Sequence, residues 1–234
     1  AAGTWLLLAD AGDAVAKLAK SLVASGGRSV MVQPGTEFKA SGDDVYTIDP
    51  LDLDHYGQLL TAVSQEDAPP IRGVVHLWSR DIPLPTEDVT ERTLAAQQLG
   101  GGSVLRTVQA FARSGLAKPP ALWIATTAGQ AVDRGEEVAP DGASLWGLGR
   151  VAALEHPELH VHMVDMPPGE DVTTHLVSEL LANALDTQVA FRHNERFVAR
   201  LRRGVSGTNG NGNGTGHSKE AVDEVVVQAG TPTR

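Results

Sequence analysis

Apolar residues along this chain fall into short β-type runs that alternate with stretches of helical periodicity, starting within the first few residues. Thr4 to Ala9 reads as a strand, and Ala14, Val15, Leu18 and Leu22 come after it at helical spacing, which makes a βα unit. Ser29 to Gln33 and Asp44 to Ile48 are the next predicted strands. Leu53 to Val63 is a predicted helix with Asp52 as its N-cap. Gly73 to Trp78 is an apolar strand, and a helix is expected from Glu91 to Ser114 with Leu94, Gln98, Gly101, Leu105, Val108 and Ala112 along one side. A strand at Ala121 to Thr126 precedes a helix that begins near Ala143 and stops before Pro157. His160 to Asp165 is a further strand, succeeded by a helix carrying Val172, Leu176, Leu180 and Ala184. Gln188 to Arg192 and Arg196 to Leu201 close the set. Strands alternating with helices predict a parallel, doubly wound α/β sheet, in which ligands sit outside the carboxyl ends of the strands.

Composition narrows the classes. The 234 residues suffice for one sizeable core without cross-links. The absence of cysteine removes disulfides, thiolate metal sites and thiol redox chemistry, and suits a reducing cytoplasm. A net charge of -10 with no basic stripe argues against nucleic acid or an anionic membrane as partner. The longest apolar runs are strand-sized, so the chain is expected to be soluble and cytoplasmic. From Gly204 to Gly216 the sequence turns to Gly, Asn, Ser and Thr, the composition of a flexible linker. The domain is therefore expected to span residues 1–203, with 204–234 a linker and the start of another element. Val225, Val226 and Val227 in that tail suit a strand that pairs with the next part of the polypeptide, and both chain ends read as cuts through something longer.

The carboxyl ends of the predicted strands carry the candidate chemistry. A dinucleotide site needs glycines in the first βα turn, where backbone amides meet the pyrophosphate. Here the turn reads Ala9-Asp10-Ala11-Gly12-Asp13: one glycine, with the carboxylates of Asp10 and Asp13 where the phosphates would lie. At about 5 Å and an effective dielectric of 20, each carboxylate opposes a phosphate charge by about 3 kcal/mol. Asp13 is better explained as a helix N-cap. Gln33-Pro34-Gly35 offers neither an acid for ribose hydroxyls nor a base for a 2′-phosphate. Trp78 either fills cofactor space or is a core or rim aromatic, and Arg80 reads as a solvated charge. The only tyrosines, Tyr46 and Tyr56, precede the fourth major strand, so neither reaches the helix that would carry a ketone-reducing acid. Thr126 and Thr127 read as strand-ending residues. His160 and His162 alternate along a strand, which suggests either an exposed strand face or a metal site with His156 and Glu158.

Several segments carry a family resemblance. Gln97-Gln98-Leu99-Gly100-Gly101-Gly102-Ser103-Val104-Leu105, Ala121 to Thr126 with Gln130-Ala131-Val132, and Leu145-Trp146-Gly147-Leu148-Gly149-Arg150-Val151 with Leu154-Glu155-His156-Pro157-Glu158-Leu159 resemble the structural subdomain of modular type I polyketide synthase ketoreductases. The match runs from about residue 4 to 203. It implies a truncated Rossmann-like, short-chain-dehydrogenase-type domain, three layers deep with a flexible C-terminal tail, that performs no chemistry and binds no cofactor or metal. Such a domain stabilises a separate NADPH-dependent half that reduces β-ketoacyl chains on an acyl carrier protein. By this resemblance Gly100, Gly101, Leu105, Trp146, Leu148 and Arg150 form either a docking face for the catalytic half or internal packing. The expected partners are that half and neighbouring synthase domains, an enoylreductase among them. The alternatives are a divergent dehydrogenase with an unusual nucleotide site at Asp10 to Asp13, and a pseudo-ketoreductase that braces a neighbour.

Overall fold

The computed structural model describes residues 3–9, 12–80, 89–133, 135–169, 173–182, 184–204 and 222–229. β1 (Thr4–Leu8) is buried along its whole length, as a strand covered on both faces must be. α1 (Asp13–Ala24) is next. Its N-cap is Gly12, not Asp13: the Gly12 backbone is extended and its carbonyl accepts the Ala16 N–H at 3.0 Å. Asp13 is thereby the first helical residue, where a carboxylate complements the positive end of the helix dipole. β2 (Arg28–Pro34), β3 (Lys39–Ala40) and β4 (Val45–Ile48) come after it. α2 (Leu53–Val63) starts and stops where its periodicity does, and the Asp52 side chain accepts the Asp54 N–H at 2.8 Å.

β5 (Ile71–His76) leads, across residues 81–88, to a helix broken into three. α3 (Val89–Ala96) passes into a π-helix at Gln97–Gly102, where the Ser103 N–H reaches back to the Gln98 carbonyl, and α4 (Ser103–Arg113) completes it. The extra residue in the π turn rotates α4 relative to α3. The inward side is Ala96, Gly100, Val104, Thr107, Val108 and Phe111, whereas Leu94 and Leu105 of the expected stripe are exposed. β6 (Ala121–Thr127), α5 (Pro140–Glu155), a 3-10 turn (Pro157–Leu159), β7 (His162–Met166), α6 (Thr173–Ala182), β8 (Gln188–Arg192), β9 (Glu195–Gly204) and β10 (Val222–Ala229) finish the order.

The ten strands of the described residues form one sheet in the order β10-β9-β8-β7-β6-β5-β1-β2-β4-β3. From β4 across to β8 the pairing is parallel, while β3, β9 and β10 pair antiparallel. Strand order reverses between β1 and β5, the topological switch point. Alternation along each strand builds two cores. Leu6, Leu8, Val74 and Ile124 face α2, α4 and α5 through Tyr56, Leu59, Val104, Phe111, Leu145 and Trp146. Trp5, Leu7, Val75, Trp123 and Val164 face α1 and α6 through Leu18, Leu22, Leu176 and Leu180. The three-layer, doubly wound class expected from sequence is the one observed.

An aromatic row crosses the second face. Trp5 and Trp123 stand 5.4 Å apart over Gly73, and a Cβ there would come within 2.6 and 2.7 Å of the two indoles. His162 stacks on Trp123 at 4.9 Å. The expected alternation of His160 and His162 on one strand fails because His160 sits in the left-handed region (φ 40) that ends the 3-10 turn. The C-terminal valines also differ from expectation: β10 pairs with β9 of the same chain.

Candidate functional site

At the switch point, the space where a dinucleotide would lie is small among the described residues. Asp10 lies outside them. The crevice between Ala14, Val15 and Leu18 of α1, Leu77 and Arg80 after β5, and Thr173 and Leu176 of α6 leaves about 10 Å³, room for one water. Thr173 Oγ1 donates to the Ala14 carbonyl at 3.3 Å, holding α6 against the start of α1. Trp78 is a core aromatic: it is fully buried, meets His76 edge-on at 5.6 Å, and leaves its indole N–H without a hydrogen-bond partner. Arg80 Nε lies 3.4 Å from Thr127 Oγ1.

Behind the crevice lies a polar cluster around His76, which sequence reasoning passed over because the histidine stands inside an apolar run. Ser103 Oγ donates to the Leu99 carbonyl at 2.5 Å, so the His76 Nε2, 2.7 Å from that oxygen, carries the proton and donates to it. Ser79 Oγ donates to the Ala125 carbonyl at 2.6 Å and lies 3.4 Å from Nδ1. Burial lowers the His76 pKa from 6.5 to about 3, so the ring is neutral. Tyr56, also buried, donates to the Pro50 carbonyl at 3.1 Å, and desolvation raises its phenol pKa. Both rings tie α2 and α4 to the sheet, and neither meets solvent.

A second cluster occupies the turn between β6 and α5, where an enzyme of this fold class would open to its substrate. Asp165, fully buried on β7, accepts Thr126 Oγ1–H at 2.5 Å, the amides of Gly129 and Gln130 at 2.7 and 3.2 Å, and the Arg192 guanidinium at 2.7 Å. Arg192 also donates to Glu136 at 2.9 Å and to the Gln130 carbonyl at 2.8 Å. Glu136 accepts the Val132 amide at 2.8 Å, and Trp146 Nε1–H donates to Thr126 Oγ1 at 3.0 Å. Burial pulls the Arg192 pKa down, but the Asp165 and then the Glu136 contacts outweigh it and the net shift is upward. Desolvation pushes the Glu136 pKa up, but the Val132 amide and Arg192 together overcome it and hold the carboxyl below its usual range. Thr126 therefore does more than end a strand, yet its hydroxyl is engaged as both donor and acceptor. The charged residues that close two otherwise largely apolar predicted strands, Asp165 and Arg192, were the signal that sequence offered.

The six residues expected to form a docking face do not share one surface. Gly100 and Trp146 are buried in the chain's own core. Gly101 is half-buried in the π-helix, which packs against α5, and a Cβ at Gly102 would come within 2.8 Å of Leu51. Arg150 lies toward β8, with Nε 3.1 Å from Gln188 Oε1. Leu105 and Leu148 do come together: with Val108, Ala112, Val151 and Ala152 they line the apolar part of a groove of about 380 Å³ between α4 and α5, whose remaining lining is Gln109, Arg113, Glu155 and His156. Of its lining Leu105 is 42% exposed and Val151 49%, and outside it Leu94 on α3 is 58% and Leu154 on α5 82% exposed.

Elsewhere the described residues hold little chemistry. A basin of about 660 Å³ at the amino ends of β2 and β4 is lined by Asp43, Asp44, Glu66 and Asp67, with Arg28 already paired to Asp44 at 2.5 Å. No group of three or more His, Cys, Asp or Glu among the described residues could hold a metal ion. No described helix is long and apolar enough to cross a membrane.

Comparison with known proteins places this geometry. Residues 4–184 match the family described as beta-ketoacyl synthase-like, N-terminal. A phenolphthiocerol/phthiocerol polyketide synthase of Mycobacterium tuberculosis (strain CDC 1551 / Oshkosh) is 32% identical over 211 residues, covering 86% of this chain and 11% of that protein. The chain thus spans about a tenth of that relative's length. Among solved structures, a multidomain adenylation and ketoreductase structure of a keto acid-selecting NRPS module overlays with a TM-score of 0.72 at 22% identity, over 83% of this chain and 16% of that one. An A-type ketoreductase from a modular polyketide synthase overlays at 0.58 and 23%, over 84% and 38%. A Burkholderia cenocepacia short-chain dehydrogenase in complex with NADP overlays at 0.58 and 13%, over 82% and 88%. The family's wording points to a condensing enzyme, but the strand order and these overlays give a Rossmann-like, short-chain-dehydrogenase fold. The chain belongs to the beta-ketoacyl synthase-like N-terminal family, a Rossmann-like domain shared with polyketide synthases.

Proposed function

We propose that this domain is the non-reducing structural half of a polyketide synthase ketoreductase, and that it docks through α4 and α5 onto the half that binds NADPH and reduces the carrier-bound β-ketoacyl chain. The observation that carries this reading is α5, which is apolar on two sides. Gly142, Leu145, Trp146, Gly149 and Ala152 fill its own core, while half-buried Leu148 and exposed Val151 line the groove with Leu105, and Leu154 on the same helix is exposed. An apolar side of a helix is normally one that is covered, and the second apolar side of α5 has no cover among the described residues. The overlay on a modular ketoreductase supports the identity of the cover, because 84% of this chain accounts for only 38% of that protein and leaves more than half of it for a second unit.

Val151 and Leu154 are the residues to test, because Leu148 is half-buried and its loss would also disturb the core. With the chain and the remaining ketoreductase part of its synthase co-expressed, Val151→Asp with Leu154→Asp is expected to weaken their association at least tenfold. The melting temperature of the chain should stay within about 2 °C, since exposed substitutions shift stability by about 0.5 kcal/mol or less. Association unchanged by the pair would sink the docking face.

The same reading leaves the cofactor to the partner. Titration of the chain with NADPH, monitored by calorimetry, is expected to show no saturable binding in the micromolar range, consistent with the small crevice beside α1 and the single glycine of the first turn. A micromolar Kd would favour a divergent dehydrogenase instead.

A further inference from the structure

We infer that the backbone edge of β9 is a strand-binding site whose ligand is the chain's own segment Val222–Ala229, an acidic-then-apolar peptide held in one register. β8 covers only the first part of β9, from Glu195 to Val198. The stretch from Ala199 to Gly204 runs past the start of β8, and among the described residues it pairs with β10 alone. The connection, residues 205–221, is far longer than the two-residue turn that closes a tight hairpin. A connection of that length dictates no register, so the register must be written in the strands.

It is written there in charge. The pairing sets Arg203 opposite Asp223 and Arg202 opposite Glu224, then Leu201 opposite Val225 and Ala199 opposite Val227. Opposite charges and apolar pairs directly across antiparallel strands stabilise the pairing, and like charges oppose it. Sliding β10 by one residue either way leaves one of the two opposite-charge pairs. Sliding it by two, which restores the facing of the side chains, leaves at most one. Only the observed register keeps both. In strand addition of this kind the main chain supplies affinity and the alternating side chains supply specificity. The geometry has a consequence for the parent synthase. Any chain continuing past Ala229 departs from beside Phe197, at the level of β8, not from Gly204 at the far end of the ribbon.

Amide hydrogen exchange on the full chain tests the inference. The alternate amides of 199–204 and 223–228 that point across the ribbon are expected to exchange together and at least tenfold more slowly than in an unstructured peptide. Asp223→Arg with Glu224→Arg should erase that protection, and adding Arg202→Glu with Arg203→Glu should restore it. Wild-type exchange at the peptide rate, protection that survives the charge reversal, or loss without rescue would each overturn the assignment. A mass in solution of twice the chain, with protection retained, would assign the ligand strand to a second copy and overturn the intramolecular pairing.

Discussion

Replacing Asp165 with alanine is expected to destabilise the domain by about 3–5 kcal/mol, the cost of breaking a buried ion pair from one side. The carboxylate is wholly buried and all four of its hydrogen bonds come from groups with little or no access to water: Thr126, the Gly129 and Gln130 amides, and Arg192. Alanine would leave those donors without an acceptor and a guanidinium with only Glu136 as counter-charge. For a domain of this size the melting temperature should fall by about 10 °C. Arg192→Met should cost a similar amount, because it strands Asp165 instead, and the double variant should cost clearly less than the sum of the two. Urea unfolding of the three variants measures this directly. If Asp165→Ala costs under about 1 kcal/mol, well below the range for a broken buried pair, the cluster is not what holds the turn between β6 and α5. The effect should reach further than stability. Trp146 hangs from Thr126, and Trp146 lies on α5, so the same cluster sets the inner side of the helix proposed to dock.

Most of the fold was legible because its signals are local. The short apolar runs of β1 and β5 and the helical stripe of α2 each lie within a dozen residues, and Asp52 caps where the stripe begins. The errors arose where geometry turns on one residue. A glycine took the cap from Asp13, and the long helix, interrupted by the π turn at Gln97–Gly102, puts Ala96, Gly100 and Val104 inward, so that Leu94 and Leu105 of the apparent stripe are exposed. The candidate site was less legible for a different reason. Thr126, Asp165 and Arg192 are brought together from β6, β7 and β8 and Glu136 from the turn after β6, and nothing in the spacing of residues so far apart announces a contact. Only their chemistry hinted at it, since a carboxylate buried toward the carboxyl end of β7 has to find partners or suffer a large desolvation penalty. The pairing of β10 was hidden in a similar way. Its charges make sense only once Arg202 and Arg203 lie opposite them.

Acid should weaken this domain well before its carboxylates begin to titrate, and His76 gives the sign and the window. In the unfolded chain its imidazole takes up a proton near pH 6.5, whereas burial in the native state holds the pKa at about 3. Between those values the unfolded state binds a proton that the native state refuses. The stability is therefore complete above pH 6.5 and is lost as the pH falls toward 3, by up to about 1.4 kcal/mol per pH unit. Lowering the pH from 7.5 to 5 should cost about 2 kcal/mol through this one ring, or about 4–8 °C in melting temperature. His162, whose pKa is lowered by burial against Trp123, acts with the same sign. Glu136, held below its usual range, contributes only at lower pH, where its unfolded counterpart begins to protonate. His76→Gln separates these contributions, because an amide can still donate to Ser103 Oγ but cannot titrate. The absolute stability of that variant is immaterial. Its stability should depend on pH between 7.5 and 5 by about 2 kcal/mol less than that of the wild type, and equal slopes for the two proteins would mean that the His76 ring is open to protons in the folded state.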